Sequence, residues 1–223
     1  MIKRELYMNR IRPFIGGELI KVMTGIRRSG KSVMLELIKE ELAEAGVAPS
    51  QMISINFEDM RYSHLQTATA LHDEIIKRAE GIEGKAYLFF DEIQEVEGWE
   101  KCVNSLRVAL DCDIYITGSN AKLLSGELAT YIGGRYVEFV IYPFSFAEFL
   151  ELYHTIAPSD SIQQCFQKYL LAGGMPYLAN LRYEEEPSRQ YLTDLFNSVQ
   201  LKDIVKRNKI RAVSYTHLRA HET

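Results

Sequence analysis

The sequence predicts an α/β fold, strands alternating with helices around a buried parallel sheet, and three observations predict it. Five short runs of strand composition alternate with segments of helical period: Leu19 to Thr24, Met52 to Phe57, Ala86 to Phe90, Asp113 to Thr117 and Tyr136 to Tyr142. One of them, Ala86 to Phe90 (AYLFF), is apolar throughout, the composition of a parallel strand buried on both faces. The third observation is Gly25 to Ser32 (GIRRSGKS), which stands between a strand run and a helical pattern. Its spacing, a glycine, four residues, then Gly-Lys-Ser or Thr, is that of a loop that cradles phosphate.

Bulk numbers bound the rest. The chain has 223 residues, 47% hydrophobic and 25% charged, which suits one large domain or a domain and a half and excludes a disordered or fibrous protein. With a net charge of −4, the overall balance does not advertise nucleic acid or an anionic membrane as a partner. Three separated cysteines, Cys102, Cys112 and Cys165, lack metal-ligand spacing and read as reduced thiols packed in a core. The N-terminus MIKRELYMNR has no apolar signal core, and no run approaches the roughly 18 apolar residues of a membrane helix. The expectation is a soluble cytoplasmic protein.

Taken in order, Ile2 to Ile15 places Leu6, Tyr7, Ile11 and Phe14 at helical intervals and predicts an amphipathic helix that ends at Gly16-Gly17. Packing is its expected role, with Tyr7 or Arg10 as the residues that would touch a nucleotide base. Leu35, Ile38 and Leu42 mark the buried face of the helix after the glycine loop, and Glu36, Glu40 and Glu44 its solvated face. A helix over Leu65 to Ala79 follows the second strand, and one over Trp99 to Leu110, anchored by Trp99, follows the third. A further helix, Ala121 to Ile132, leads into the fifth strand, which Pro143 closes. From Ser145 the texture turns helical: a Ser145/Glu148 capping box, a helix over Ser161 to Leu171 that stops at Gly173-Gly174, and one from Pro187 to Lys206. These changes place a boundary near Pro143, with a core over residues 1–143 that includes the N-terminal helix (1–17) and a helical lid over 144–212.

The chemistry gathers at strand ends. In the glycine loop, Gly25 and Gly30 stand where a Cβ would obstruct close approach of backbone N–H groups to an anion. Lys31 would place charge on the β and γ phosphates, and Ser32 would offer a hydroxyl to Mg2+ at a helix N-terminus. The nucleotide-binding set is Gly25, Arg28, Ser29, Gly30, Lys31, Ser32 and Val33. Asp91, ending the buried strand, is the second metal residue, and Glu92 the base that orients or deprotonates water. Ser119 and Asn120 end the fourth strand, where they would reach the γ-phosphate or the attacking water, or cap the next helix. Arg135, between a glycine pair and a strand, reads equally as a charge-stabilising finger and as a surface arginine.

Together these pieces resemble one family, the prokaryotic AAA-type ATPases in which an ATPase core precedes a C-terminal domain of unknown function. The resemblance rests on GIRRSGKS (Gly25 to Ser32), INFED (Ile55 to Asp59), LFFDEIQ (Leu88 to Gln94), the long run TGSNAKLLSGELATYIGGRY (Thr117 to Tyr136), PFSFAEFL (Pro143 to Leu150), GGMP (Gly173 to Pro176) and LKDIVKRNKIR (Leu201 to Arg211). It implies a P-loop NTPase fold whose five-stranded parallel sheet has one strand between the two motif strands. It also implies Mg-dependent hydrolysis of ATP with Walker A and Walker B residues as above, and Glu92 as catalytic glutamate. Ser119-Asn120 would be a γ-phosphate sensor, Arg135 the finger, and Asn56 a second-strand residue that restrains Glu92. At Val213 the chain departs from the family pattern: VSYTHLRAHET (Val213 to Thr223) reads as translated sequencing adapter, a non-native tail that excludes His217 and His221 from any metal site.

The sequence thus favours an ATPase that couples hydrolysis to movement of its helical part and of the appended C-terminal domain that the resemblance implies. A slow ATP-operated switch acting as an interaction protein shares every binding residue, and the two differ at Glu92 and Arg135. A homo-oligomer follows if Arg135 serves a neighbouring subunit; DNA enters as a partner only by analogy within the family. A kinase lacks an acceptor pocket, and GTP lacks its Asn-Lys-x-Asp reader, since Asn208-Lys209-Ile210 is followed by Arg211.

Overall fold

The computed structural model describes residues 2–118 and 132–199. Five strands, β1 (Ile20–Thr24), β2 (Met52–Asn56), β3 (Ala86–Asp91), β4 (Cys112–Thr117) and β5 (Tyr136–Val140), form one sheet in the order β2-β3-β4-β1-β5. All four pairings are parallel. β4 is inserted between β1 and β3, the strands that lead into the glycine loop and the Asp-Glu pair. Every crossover therefore returns the chain to the same edge, and all five carboxyl ends face one way.

Side-chain alternation sorts the two faces. Ile20, Val22, Leu88, Phe90, Ile114 and Ile116 point to one side. There α3 (Ala68–Ala79) and α4 (Trp99–Ala109) cover them with Leu71, Ile75, Val103 and Leu106. Met23, Phe89, Tyr115 and Phe139 point to the other, beneath α1 (Glu5–Ile11) and α2 (Lys31–Glu44). Leu35, Ile38 and Leu42 are buried there, as their spacing requires. Cys102 packs in the first of these layers, and burial pushes its thiol up to about 12.

Local chemistry sets the element ends. Pro13 converts the end of the first helix into a 3-10 turn, Arg12–Phe14, so α1 is shorter than its period suggests. A 3-10 turn over Met60–Leu65 likewise replaces the start expected for α3, whose cap is the Thr67 hydroxyl accepting from the Ala70 N–H.

After β5 come α5 (Phe146–Tyr153), α6 (Ile162–Ala172) and α7 (Glu185–Val199). The Ser145/Glu148 capping box opens α5, and a second box, Ser161/Gln164, opens α6. These helices share a cluster of their own around Phe149, whose ring lies 5.1 Å from Tyr153 and 5.0 Å from Tyr183. The expected helix over Ala121 to Ile132, the Leu201–Arg211 stretch and the Val213–Thr223 tail fall wholly or almost wholly outside the described residues. No described helix is long and apolar enough to cross a membrane.

Candidate functional site at the carboxyl edge of the sheet

The glycine loop runs from the end of β1 into the start of α2. Gly25 has φ +146°, and a Cβ there would lie 2.2 Å from the Ile141 carbonyl oxygen, so no other residue fits against that backbone. Gly30, at φ +102°, is the N-cap of α2 and lets the chain turn into the helix whose first residues are Lys31 and Ser32. Lys31 is 4% exposed and reaches back across the loop, donating to the carbonyls of Gly25 (3.3 Å) and Ile26 (3.2 Å). Burial pushes its ammonium pKa down, and Glu92 and Asp91 only partly oppose that. A buried cation that borders an open cavity is one that a bound anion stabilises.

On the neighbouring strand end, Glu92 adopts φ +55° and its N–H donates to the Thr117 hydroxyl at 3.1 Å. Its carboxylate accepts from the Gln94 amide and stands 3.9 Å from the Lys31 ammonium. Asp91 is buried, and its two oxygens accept from the Thr117 hydroxyl and, at 3.2 Å, from the Asn56 side chain. The position of β4 explains this: it places Thr117 beside the end of β3.

A cavity of about 980 Å3 opens here. One wall is Arg27, Arg28, Gly30, Lys31, Ser32 and Val33, and Glu58 and Glu92 border it. The facing wall comes from Pro176, Tyr177 and Asn180, and from Tyr191, Asp194, Leu195 and Ser198 of α7. Arg28 lies over the Tyr191 ring at 5.6 Å, and the buried Tyr191 hydroxyl has no hydrogen-bond partner among the described residues. Sequence reasoning missed this wall. Its one available signal was the pairing of aromatic and polar residues on α7, which looks like an ordinary amphipathic stripe.

The expected site residues thus separate into groups. Gly30, Arg28, Lys31, Ser32, Val33 and Glu92 meet at the cavity, while Gly25 and the buried Ser29 shape the loop behind it. Asn56 donates to Asp91, with which strand register pairs it. Arg135 is exposed at the opposite edge of the sheet, where its carbonyl accepts from the Ile20 N–H at 3.0 Å. β1 and β5 run in register from Ile20–Tyr136 to Thr24–Val140, so the strand length separates Arg135 from the loop of its own chain. Tyr7 does not reach the cavity either; its hydroxyl accepts from the Tyr142 N–H at 3.1 Å. Ser119 and Asn120 lie outside the described residues.

The donor set at the cavity fits a nucleotide with its Mg2+: the buried Lys31, the Ser32 hydroxyl at the start of α2 and the Glu92 carboxylate line it, and Asp91 stands beside Glu92, outside the cavity lining, where it accepts from Thr117 and Asn56. Among the described residues no three His, Cys, Asp or Glu side chains converge to hold a metal alone.

Fold and loop together define a P-loop α/β protein of AAA-like architecture. The chain belongs to the AAA domain family, whose model matches residues 18–150. It is 41% identical over 212 residues to an uncharacterized protein of Haemophilus influenzae, covering 95% of this chain and 52% of that relative. It is 34% identical over 203 residues to the uncharacterized protein MJ1544 of Methanocaldococcus jannaschii, covering 87% and 44%. The chain therefore spans about half the length of these relatives. Among solved structures it is similar in fold to AMPPCP-bound DnaA from Aquifex aeolicus, with a TM-score of 0.52 at 14% identity, covering 93% of this chain and 66% of that one.

Proposed function

We propose that this chain binds Mg-ATP at Gly25–Ser32 and hydrolyses it, coupling the nucleotide's state to movement of the helices after Pro143 and of the additional length its relatives carry. One observation carries the reading: Lys31 of the glycine loop and Glu92 of the strand end border one cavity, 3.9 Å apart. Membership of the AAA domain family, which implies nucleotide binding, supports it.

In this reading, the loop N–H groups, Lys31 and Arg28 would hold the phosphates, and Ser32 and Asp91 would be the residues that hold Mg2+. The metal's contribution is to offset charge on the phosphate oxygens. Asn56 and Thr117 keep Asp91 oriented for that task. Glu92 orients the attacking water and takes its proton, once its carboxylate leaves Gln94. Ser119 and Asn120 keep the sensor role inferred from the sequence. Arg135, at the far edge of the sheet, acts on the site of a second copy, so a homo-oligomer is the active form and an isolated chain turns over slowly.

The test is Mg-dependent binding and turnover of ATP against GTP by wild type, Lys31→Ala and Glu92→Gln. Binding lost in Lys31→Ala, with turnover but not binding lost in Glu92→Gln, is the expected outcome. Tight binding with no turnover at any protein concentration would favour the switch; no binding by folded wild type would sink the nucleotide reading.

A further inference from the structure

Behind the glycine loop, on the side away from the cavity, lies an arginine that no phosphate-loop pattern includes. Arg4 is 2% exposed and takes φ +48°, a sparsely populated region for a residue with a Cβ that holds only where its surroundings impose it. Those surroundings are three stretches distant in sequence. Its Nη1 donates to the Ser29 carbonyl at 2.9 Å, Nη2 to the Tyr142 carbonyl at 2.8 Å, and Nε to Glu148 Oε1 at 2.8 Å. The guanidinium also sits between rings, 4.7 Å from Tyr7 and 5.2 Å from Phe144.

Glu148 is held as firmly. Its second oxygen accepts from the Ser145 N–H at 2.8 Å and the Ser145 hydroxyl at 3.0 Å. Burial alone would raise its carboxyl; Arg4 and the Ser145 N–H outweigh that and hold it below the ordinary range. The N-terminal turn of α5 is thereby fastened to Arg4.

Ser29 is where this network meets the loop. The peptide between Ser29 and Gly30 is planar and trans, so its C=O and N–H point in opposite directions. Arg4 does not line the cavity and Gly30 does. With the Ser29 oxygen drawn back to Arg4, the Gly30 N–H is aimed forward, where an anion would sit. A lysine could not replace this fork, since an ammonium lacks the planar donors that reach a carbonyl and a carboxylate at once.

We propose that Arg4, held by Glu148, is a positioning residue for the phosphate-binding loop: it sets the Ser29–Gly30 peptide for anion binding and makes nucleotide affinity depend on the seating of α5. The inference rests on the nucleotide reading of the site. It goes beyond that reading by assigning a second layer to the loop and a physical link from the loop to the helices after Pro143.

The experiment compares wild type with Arg4→Met, Arg4→Lys and Glu148→Gln in the full chain, by amide hydrogen exchange over residues 25–33 without nucleotide and by Mg-ATP titration. Arg4→Met should speed exchange in the loop while β3 and β4 stay protected, and weaken Mg-ATP about tenfold, the size of one hydrogen bond to a charged group. In turnover the loss should appear in KM more than in kcat. Arg4→Lys should recover only part of the affinity, and Glu148→Gln should lose less than Arg4→Met. Folded Arg4→Met with wild-type loop exchange and affinity, its melting temperature alone lowered, would make Arg4 merely structural and overturn the proposal. Should Arg4→Met fail to fold, the same wild-type results from Arg4→Lys overturn it. Wild type that binds no Mg-ATP would remove the nucleotide reading, and loop exchange would still decide whether Arg4 orders the loop.

Discussion

The two edges of the sheet hold similar kinds of residue arranged to different ends. At the carboxyl edge, Lys31 approaches Glu92 without closing on it, and both face an open cavity. At the amino edge, Lys21 and Asp113 are each 0% exposed, in direct contact, and closed off by further partners. Asp113 also accepts from the Gly16 N–H at 2.6 Å and the Tyr115 hydroxyl at 2.7 Å, and Lys21 donates to the Gly17 carbonyl at 3.1 Å. One edge sets its charges against an open cavity, the condition for binding something. The other satisfies them internally and uses them to pin the turn that leads into β1. Burial of charge is common to both, so burial alone does not identify a site; the adjoining cavity does.

The largest effect that would sharpen this contrast is at Glu92. Glu92→Gln should lower ATP turnover about 100- to 10,000-fold, the range for a general base. Equilibrium binding and urea-denaturation stability should be retained, because Glu92 is not locked into the core. The converse change is at the amino edge. Lys21→Met strands Asp113 in the core and should cost about 3–5 kcal/mol in urea denaturation. Nucleotide affinity of the fraction that remains folded should be unchanged. If Lys21→Met instead left stability intact and abolished binding, the two edges would not divide as described.

Arg135 tests whether the amino edge has any part in chemistry. Arg135→Ala should lower turnover about 100- to 1,000-fold, as for loss of one charge-stabilising donor, while binding by each chain persists. Mixing Arg135→Ala with Glu92→Gln should restore part of the activity, which an arginine acting in its own chain cannot do. The smallest expected effect concerns pH. The Glu148 carboxyl lies below the ordinary glutamate value, so its contribution to stability is complete above about pH 4.3 and is lost as pH falls through the lowered folded value. Glu148→Gln should therefore flatten the acid end of the stability profile and leave the neutral region's slope unchanged.

Much of this molecule is written in short stretches of chain. Alternation of strand and helix, the cradle at Gly25 to Ser32 and the Asp91-Glu92 strand end all follow from period, glycine placement and apolar runs, which act over a few residues. Those rules also delivered the burial of Leu35, Ile38 and Leu42. What sequence reading left open were residues whose surroundings depend on a distant partner. Asn56 faces Asp91 and not Glu92 because strand register, not proximity to the motif, chooses its neighbour. Arg135 stands a strand's length from the loop because it precedes β5 and does not follow it.

By itself, then, the sequence determined the elements, their order and the two strand-end motifs, since each is encoded by local geometry. The tertiary structure alone decided that the Thr117 hydroxyl meets Asp91 and the Glu92 N–H, that Tyr177 and Tyr191 face the glycine loop across the cavity, and that Arg4 stands behind it. Arg4 joins Ser29, 25 residues away, to Glu148, 144 residues away. No periodicity spans such separations: they are selected by the packing of whole elements, and only the folded chain contains that information.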